Sequence, residues 1–388
     1  MKVFFRITLI NLVFILFLSF SVGFAANKKE YPTSPPAKIA KKWRIGYLEG
    51  GPYVSYQQYL AEISKALSDL GWIEPITIPP RENESETDKL WAWLAANAKS
   101  NYLEFAVNAH YSNNWNKKGR EENKKTVLRR LNETRDIDLM IAMGTWAGQD
   151  LANNDHSVPV LVCSTSDPIA AKIIKNEKDS GYDHVHARVD PARFERQIRA
   201  FHDVIGFSKL GMAFRDTVDG RSIAGMEAVR KVAGERNFEV LECHTSSGIS
   251  EEAVARMVEC TRELAPKADA FYIVEQSAVT LKTLPRILEV LNAHKTPAFS
   301  QSGADHVRHG VLLNVSNTSY KEVGRFHAET VAQIINGAKP RNLPQIYEPP
   351  VKIAFNKVAA KLIDLNDDIY QLLSETADEV YEKIEVSK

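Results

Sequence analysis

Apolar residues in this chain fall into two rhythms, short unbroken runs and runs spaced three or four apart. Leu139 to Met143 and Val158 to Cys163 are of the first kind. Unbroken apolar stretches of that length suit strands covered on both faces, as in a parallel sheet. Both end in small polar residues, Gly144-Thr145 and Ser164-Thr165-Ser166. In open parallel sheets ligands sit at the carboxyl ends of strands, beside the N-termini of the next helices. The stretch Asp138 to Asp167 is therefore expected to form half of a small-molecule site.

The same alternation runs through most of the chain. Trp43 to Leu48 predicts a strand, and Val54 to Leu70 a helix with Tyr56, Leu60, Ile63 and Leu67 at helical spacing, closed by Gly71. Segment 72–100, with Trp91, Trp93 and Leu94 on a short helix, reads as an insertion packed against the first lobe. Tyr102 to Ala109 predicts a strand and Lys117 to Arg135 a charged helix whose buried stripe is Val127, Leu128 and Leu131. A helix-like piece, Ile169 to Ile174, precedes a helix opened by Asp190-Pro191 and running to Phe207. Strands at 210–214, 238–243, 270–275, 297–300 and 311–315 then alternate with helices at 222–235, 250–264 and 279–293. A helix from Ser319 to Ile335, a strand from Val351 to Phe355 and closing helices to about Ile384 complete the chain. The fold class predicted is α/β, with two doubly wound lobes built on parallel sheets.

The N-terminus stands apart. Lys2 and Arg6 precede an apolar run from Ile7 to Phe20, and Gly23 and Ala25 occupy the −3 and −1 positions of a cleavage site after Ala25. This predicts a secretory signal peptide over 1–25, with an uncleaved membrane anchor as the alternative. No Cys lies there, which disfavours lipid attachment. Residues 26–42, rich in Pro and Lys, read as a flexible lead segment. Lys+Arg and Asp+Glu stand at 49 each, so charge points to no nucleic-acid partner. Three cysteines leave at least one unpaired; Cys243 and Cys260 either pair or remain thiols.

WRIGYLEGGP at Trp43, GTWAGQDLA at Gly144, PVLVCSTSDPIAA at Pro159, RVDPARFERQI at Arg188 and INGAKPRNLPQIYEPPVKIAFNKVAAKLI at Ile335 together resemble the ABC-transporter substrate-binding family that includes tryptophan- and tyrosine-type binding proteins. The resemblance runs from about Trp43 to Leu365, and segment 72–100 departs from the usual pattern. It implies a type I periplasmic binding protein fold whose chain crosses between lobes three times. Lobe 1 is then 43–166 plus 318–345, and lobe 2 is 167–317 plus 346–388, with Asp167, Pro168, Asn317 and Thr318 at the hinge. It further implies a periplasmic monomer that binds a small molecule and delivers it to an ABC permease, the ATPase acting indirectly.

Strand-end logic nominates the ligand contacts. From the first lobe come Glu49, Gly50, Gly51 and Tyr53, then Gly144, Thr145 and Trp146, then Ser164, Thr165 and Ser166. From the second come Arg215 and Asp216, Glu275 and Gln276, Gln301 and Ser302. An acidic side chain can hold a ligand ammonium and an Arg a carboxylate, which fits a zwitterion such as an amino acid. An enzyme is the rival class, with Glu49 and Glu275 as an acid–base pair. However, the chain has no Gly-x-Ser-x-Gly, Walker or His-Glu-x-x-His motif, so no catalytic residue or cofactor is assigned. His184-x-His186 and His306-x-x-His309 are expected to be solvated loop residues rather than metal ligands. A sensing partner of a membrane receptor is the second alternative, since one fold serves both roles.

Overall fold

Two parallel-stranded cores are built from the runs picked out above. The structure, a computed structural model, describes residues 30–80, 85–246, 248, 250–316, 320–348 and 351–386. The expected signal peptide and the hinge positions Asn317 and Thr318 lie outside the described residues. Met1–Pro32 and Thr33–Lys388 form separate compact units. In the first, residues 30–32 have no regular structure; everything below concerns the second.

The first sheet joins β1 (Trp43–Glu49), β2 (Leu103–Ser112), β3 (Leu139–Met143), β4 (Val160–Cys163) and β5 (Val185–Ala187) in the order β2-β1-β3-β4-β5. All its pairs are parallel. Every residue of β3, β4 and β5 is buried, as expected of strands sandwiched between helices. Among the helices that accompany this sheet are α1 (Val54–Asp69), α2 (Asp88–Asn97), α3 (Lys117–Arg129) and α4 (Thr145–Leu151). Helix α2 is the helix of segment 72–100 among the described residues. Its Trp91, 1% exposed, packs between Tyr47 and Phe105 with ring centroids 5.4 and 5.3 Å away. The same indole donates to the carbonyl of Ala106 at 2.9 Å, so α2 is stitched to the edge strand β2.

The second sheet runs β12-β11-β10-β9-β8-β6-β7. Its strands are β6 (Lys209–Phe214), β7 (Glu239–His244), β8 (Ala270–Ile273), β9 (Ala298–Ser300), β10 (Leu313–Ser316), β11 (Lys352–Asn356) and β12 (Glu379–Tyr381). Helices α5 (Arg193–Ile205), α6 (Val218–Ala224), α7 (Met226–Arg236), α8 (Glu251–Leu264), α9 (Leu284–Ala293) and α10 (Ala304–Arg308) accompany it. Apolar clusters around Phe201, Phe214, Tyr272 and Phe355, and around Met257, Phe271, Ile273 and Ile287, form its core. One pair, β10 with β11, is antiparallel, so this sheet is mixed where a parallel one was expected. Helix α11 (Tyr320–Ile335) lies against α1 of the first lobe. At Gly324 a Cβ would come within 2.7 Å of the Cβ of Glu62, which shows how closely the two helices approach.

Several expectations are corrected. Asp167 and Pro168 do not cross between lobes, because the chain after β4 returns to the same sheet as β5, pairing Val160 with Val185. The first crossing instead follows Ala187, and Val189 pairs there with Ile346 of the last crossing. The lobe boundary therefore moves from 166/167 to about 188. Ile169 to Ile174 forms turns rather than a helix, with Lys172 in the left-handed region at φ 59°. The helix read at 222–235 is two, α6 and α7, parted at Gly225. The lead segment is pinned from Thr33 onward: Trp72 Nε1 donates to the Thr33 carbonyl at 2.7 Å and Asn336 Nδ2 to that of Ser34 at 3.0 Å. Cys243 and Cys260 are joined in a disulfide, and Cys163 is a buried free thiol.

The candidate ligand cleft

In each sheet the strand order reverses once about a central pair, β1 and β3 in the first, β6 and β8 in the second. Such switch points leave a crevice at the carboxyl ends of the strands. Glu49 and Gly144 end or follow the first pair, and Arg215 and Glu275 follow the second. Two adjoining cavities lie there, and both are lined by Ser164, Ser166 and Glu275. Measured as space for the centre of a water molecule, they offer about 30 Å³ and about 50 Å³. The lobes therefore meet around these two small cavities.

The first cavity is polar. It is lined by Ser55 and Tyr59 of α1, Ser164–Ser166, Arg188, Arg193, Glu275, Gln301 and Ser302, with Tyr320, Val323 and His327 of α11. Thr165 Oγ1, Gln301 Nε2 and His327 Nδ1 are buried there without a hydrogen-bond partner. Burying polar atoms unpaired costs about 1–3 kcal/mol each, so a cluster of three marks a place built for a polar guest.

The second cavity is aromatic, with Tyr53, Tyr56, Trp115 and Trp146 on its walls beside Thr145, Arg215, Ile223, Gln276 and Ser277. Trp115 and Trp146 meet edge to face at 5.6 Å, and Tyr53 and Tyr56 at 5.3 Å. The Trp146 ring also carries the Arg120 guanidinium at 4.8 Å. Gly144 makes this corner possible, because a Cβ at its φ of 86° would overlap the Tyr56 hydroxyl.

Among the described residues, hydrogen bonds from four donors join the lobes across the cleft. Tyr53 Oη donates to Glu275 Oε1 at 3.0 Å and Ser166 Oγ to Glu275 Oε2 at 3.4 Å. Trp146 Nε1 donates to Asp219 Oδ2 at 3.1 Å, and Ser222 Oγ to the Asp167 carbonyl at 2.8 Å. Burial and the charge of Glu275 push the Tyr53 phenol well above its ordinary pKa, so it remains a donor. Burial pulls the other way for Asp219, but Arg215 at 3.0 Å, Thr217 and Trp146 outweigh it and hold its carboxyl below the usual range.

Of the residues nominated from sequence, Tyr53, Thr145, Trp146, Ser164, Thr165, Ser166, Arg215, Glu275, Gln276, Gln301 and Ser302 line one cavity or both. Five do not. Glu49, 2% exposed, accepts from Tyr47 Oη at 2.9 Å and Thr87 Oγ1 at 2.5 Å inside the first lobe, and burial raises its pKa. It does not face Glu275 as an acid–base partner. Gly50 and Gly51 are roofed by the Trp115 indole, which would stand 2.8 and 2.7 Å from a Cβ at either. Gly144 is covered by Tyr56, and Asp216 turns outward to Arg221 at 2.6 Å. The Asp167 carboxylate caps its own turn, accepting from the amides of Ile169 and Ala170 at 3.0 and 2.9 Å. His184, His186 and His306 are buried rather than solvated, and burial lowers each to about 4. Among the described residues no group of three metal-ligating side chains forms.

Sequence reasoning missed Tyr56, Trp115, Arg188, Arg193 and His327. Trp115 had a signal, as a lone aromatic in the polar loop Asn113 to Lys117. Arg188 and Arg193 belong to the first crossing and the start of α5, which strand-end logic does not inspect. Arg188 Nε donates to the Tyr347 carbonyl at 3.1 Å, tying the two paired crossings together.

Comparison with known proteins agrees with this architecture. A model described as "ABC transporter substrate binding protein" matches residues 104–380. A tyrosine-binding protein of Clostridioides difficile is 22% identical over 232 residues, 59% of this chain. The match spans 63% of that relative's length. A conserved domain protein of Vibrio cholerae superposes with a TM-score of 0.66 at 15% identity, covering 88% of this chain and all of the other. The ABC domain of Streptococcus pneumonia in complex with L-Trp gives 0.63 at 18% identity, covering 87% and 99%. At these identities the structural likeness speaks for the fold, that of type I periplasmic binding proteins. Among the described residues no helix is long and apolar enough to cross a membrane.

Proposed function

Because the chain belongs to the ABC transporter substrate binding protein family, a family of binding proteins rather than enzymes, we propose that it captures an amino acid between its lobes and delivers it to an ABC permease. The ATPase of that transporter acts on the permease and meets this protein only indirectly. On this reading the leader 1–25 is removed, and the protein works as a periplasmic monomer without a lipid anchor. Glu275 carries the proposal. It is a carboxylate of the second lobe that takes two hydroxyl donors from the first, in a cleft whose polar wall holds three unpartnered buried atoms. An ammonium offered by a ligand is a stronger partner for Glu275 than either hydroxyl. The aromatic cavity beside it suits a flat side chain. Similar proteins named for tyrosine or solved with L-Trp put aromatic amino acids first in a screen.

Mass spectrometry of small molecules released from the natively purified protein, with a thermal-shift screen of amino acids, tests this reading. An amino acid that co-purifies unchanged and raises the melting temperature is the expected result. Thr145→Ala combined with Glu275→Ala should abolish that stabilisation while leaving the fold intact. Survival of binding in the double variant would remove this cleft as the site.

A further inference from the structure

We infer that the polar cavity contains a carboxylate subsite built on Arg193, Gln301 and Thr165, so that the ligand's acid group is read at the first crossing between the lobes. This rests on the cleft being the ligand site. Arg193 is the first residue of α5, five residues beyond the Arg188 that anchors the crossing. Its guanidinium makes a single long hydrogen bond, 3.4 Å to the Gln301 carbonyl. Arg188 is otherwise engaged, with Tyr347 at 3.1 Å and Asp190 at 3.4 Å. Arg193 thus lines the cavity with most of its N–H donors unused among the described residues, in the field of Glu275 and Asp190, and a ligand carboxylate would take up those donors.

Two further donors converge on the same cavity. Gln301, 1% exposed, has its side-chain oxygen pinned by the Glu275 amide at 2.8 Å, which leaves the NH2 group as the donating end, with the Tyr272 hydroxyl beside it. Thr165 Oγ1 is buried without a partner. A fork of N–H donors, an amide NH2 and a hydroxyl match the lone pairs of a planar carboxylate. The space agrees: about 30 Å³ holds roughly two water-sized centres at about 10–15 Å³ each, the footprint of two carboxylate oxygens. Glu275 acts on Arg193 through its charge but makes no hydrogen bond or ion pair with it among the described residues, its oxygens taking hydroxyls from Tyr53 and Ser166.

Binding of each L-amino acid and its C-terminal carboxamide, and of 3-phenylpropionate and 3-phenylpropionamide, is to be measured by calorimetry on wild type, Arg193→Met, Arg193→Lys and Thr165→Val. Acids should bind wild type about 10- to 150-fold more tightly than their amides, the range for charge-assisted hydrogen bonds. That preference should vanish in Arg193→Met, return in part in Arg193→Lys and shrink in Thr165→Val, which removes only a hydroxyl. If 3-phenylpropionate is preferred over its amide while no amino acid binds, the amino-acid reading fails and the subsite stands. If acids and amides bind alike, if neither member of any pair binds, or if Arg193→Met keeps the preference, the subsite is overturned.

Discussion

Removing the phenolic hydroxyl of Tyr53 asks directly whether Glu275 holds the lobes together. In Tyr53→Phe the ring and its 5.3 Å contact with Tyr56 remain, and only the 3.0 Å bond to Glu275 is lost. A hydrogen bond to a charged group contributes about 1.5–3 kcal/mol. This one exists only while the lobes are together, so its whole loss falls on the closed form. The closed-to-open ratio of the ligand-free protein should then fall by about 10- to 150-fold. Adding Ser166→Ala removes the longer bond at 3.4 Å and leaves Glu275 without a hydroxyl donor from the first lobe. The Trp146–Asp219 bond at 3.1 Å still resists opening, so the single variant should lie between wild type and double variant. Small-angle X-ray scattering of the three ligand-free proteins should show the radius of gyration growing in that order. Superimposable scattering from all three, with unchanged melting temperatures, would refute the latch.

Two further outcomes concern stability. The Cys243–Cys260 bridge spans a sequence separation of 17, and closing a loop of that size restrains the unfolded chain by about 3 kcal/mol. Replacing both cysteines by Ser should lower the urea-unfolding free energy by about that much, and a loss below about 1 kcal/mol would contradict the loop-entropy account. Asp136 takes hydrogen bonds from Arg130 and Arg44 at 2.8 Å, and these hold its carboxyl down to about 2. A carboxyl depressed on folding contributes stability above its unfolded pKa near 4, and that contribution disappears as pH falls through the folded value. Solvent screening limits it to about 1 kcal/mol. Asp136→Asn should therefore flatten the acid limb of the stability profile below about pH 4, and an unchanged limb would dismiss the pairing.

The strand-end rule found much of the cleft because it follows from topology: Thr145, Ser164 to Ser166, Glu275 and Gln301 all leave the ends of buried strands. It failed where direction matters more than position. Arg215 and Asp216 are neighbours, yet one enters the cavity and the other pairs with Arg221 outside. Glu49 was hidden by Thr87, which arrives from segment 72–100, where no apolar period indicates what packs where. The misplaced lobe boundary has a similar cause. Strand β5 has three residues, one of them His186, and follows a long series of turns, so nothing in its pattern announces a fifth strand. The arginines beyond it stayed unread for the same reason.

That correction changes how contact and closure are coupled. Opening must break the cross-lobe bonds of Glu275, of Asp219 and of the Asp167 carbonyl. It need not break the isolated Val189–Ile346 pair, because both residues belong to crossings and can turn together, which makes that pair the natural pivot. A ligand that gives Glu275 an ammonium replaces the bonds that opening breaks. A carboxylate held by Arg193 engages the cleft close to the pivot, where the lobes move least. On the proposed reading the two ends of the ligand therefore do different work. The acid end can bind before the lobes close, since Arg193 lies four residues beyond Val189 of the pivot. The ammonium end counts only once Glu275 swings over it. Ligands lacking the amine should accordingly shift the closed-to-open balance less than amino acids do, a difference that scattering of Tyr53→Phe, with its weakened latch, would reveal in the presence of 3-phenylpropionate.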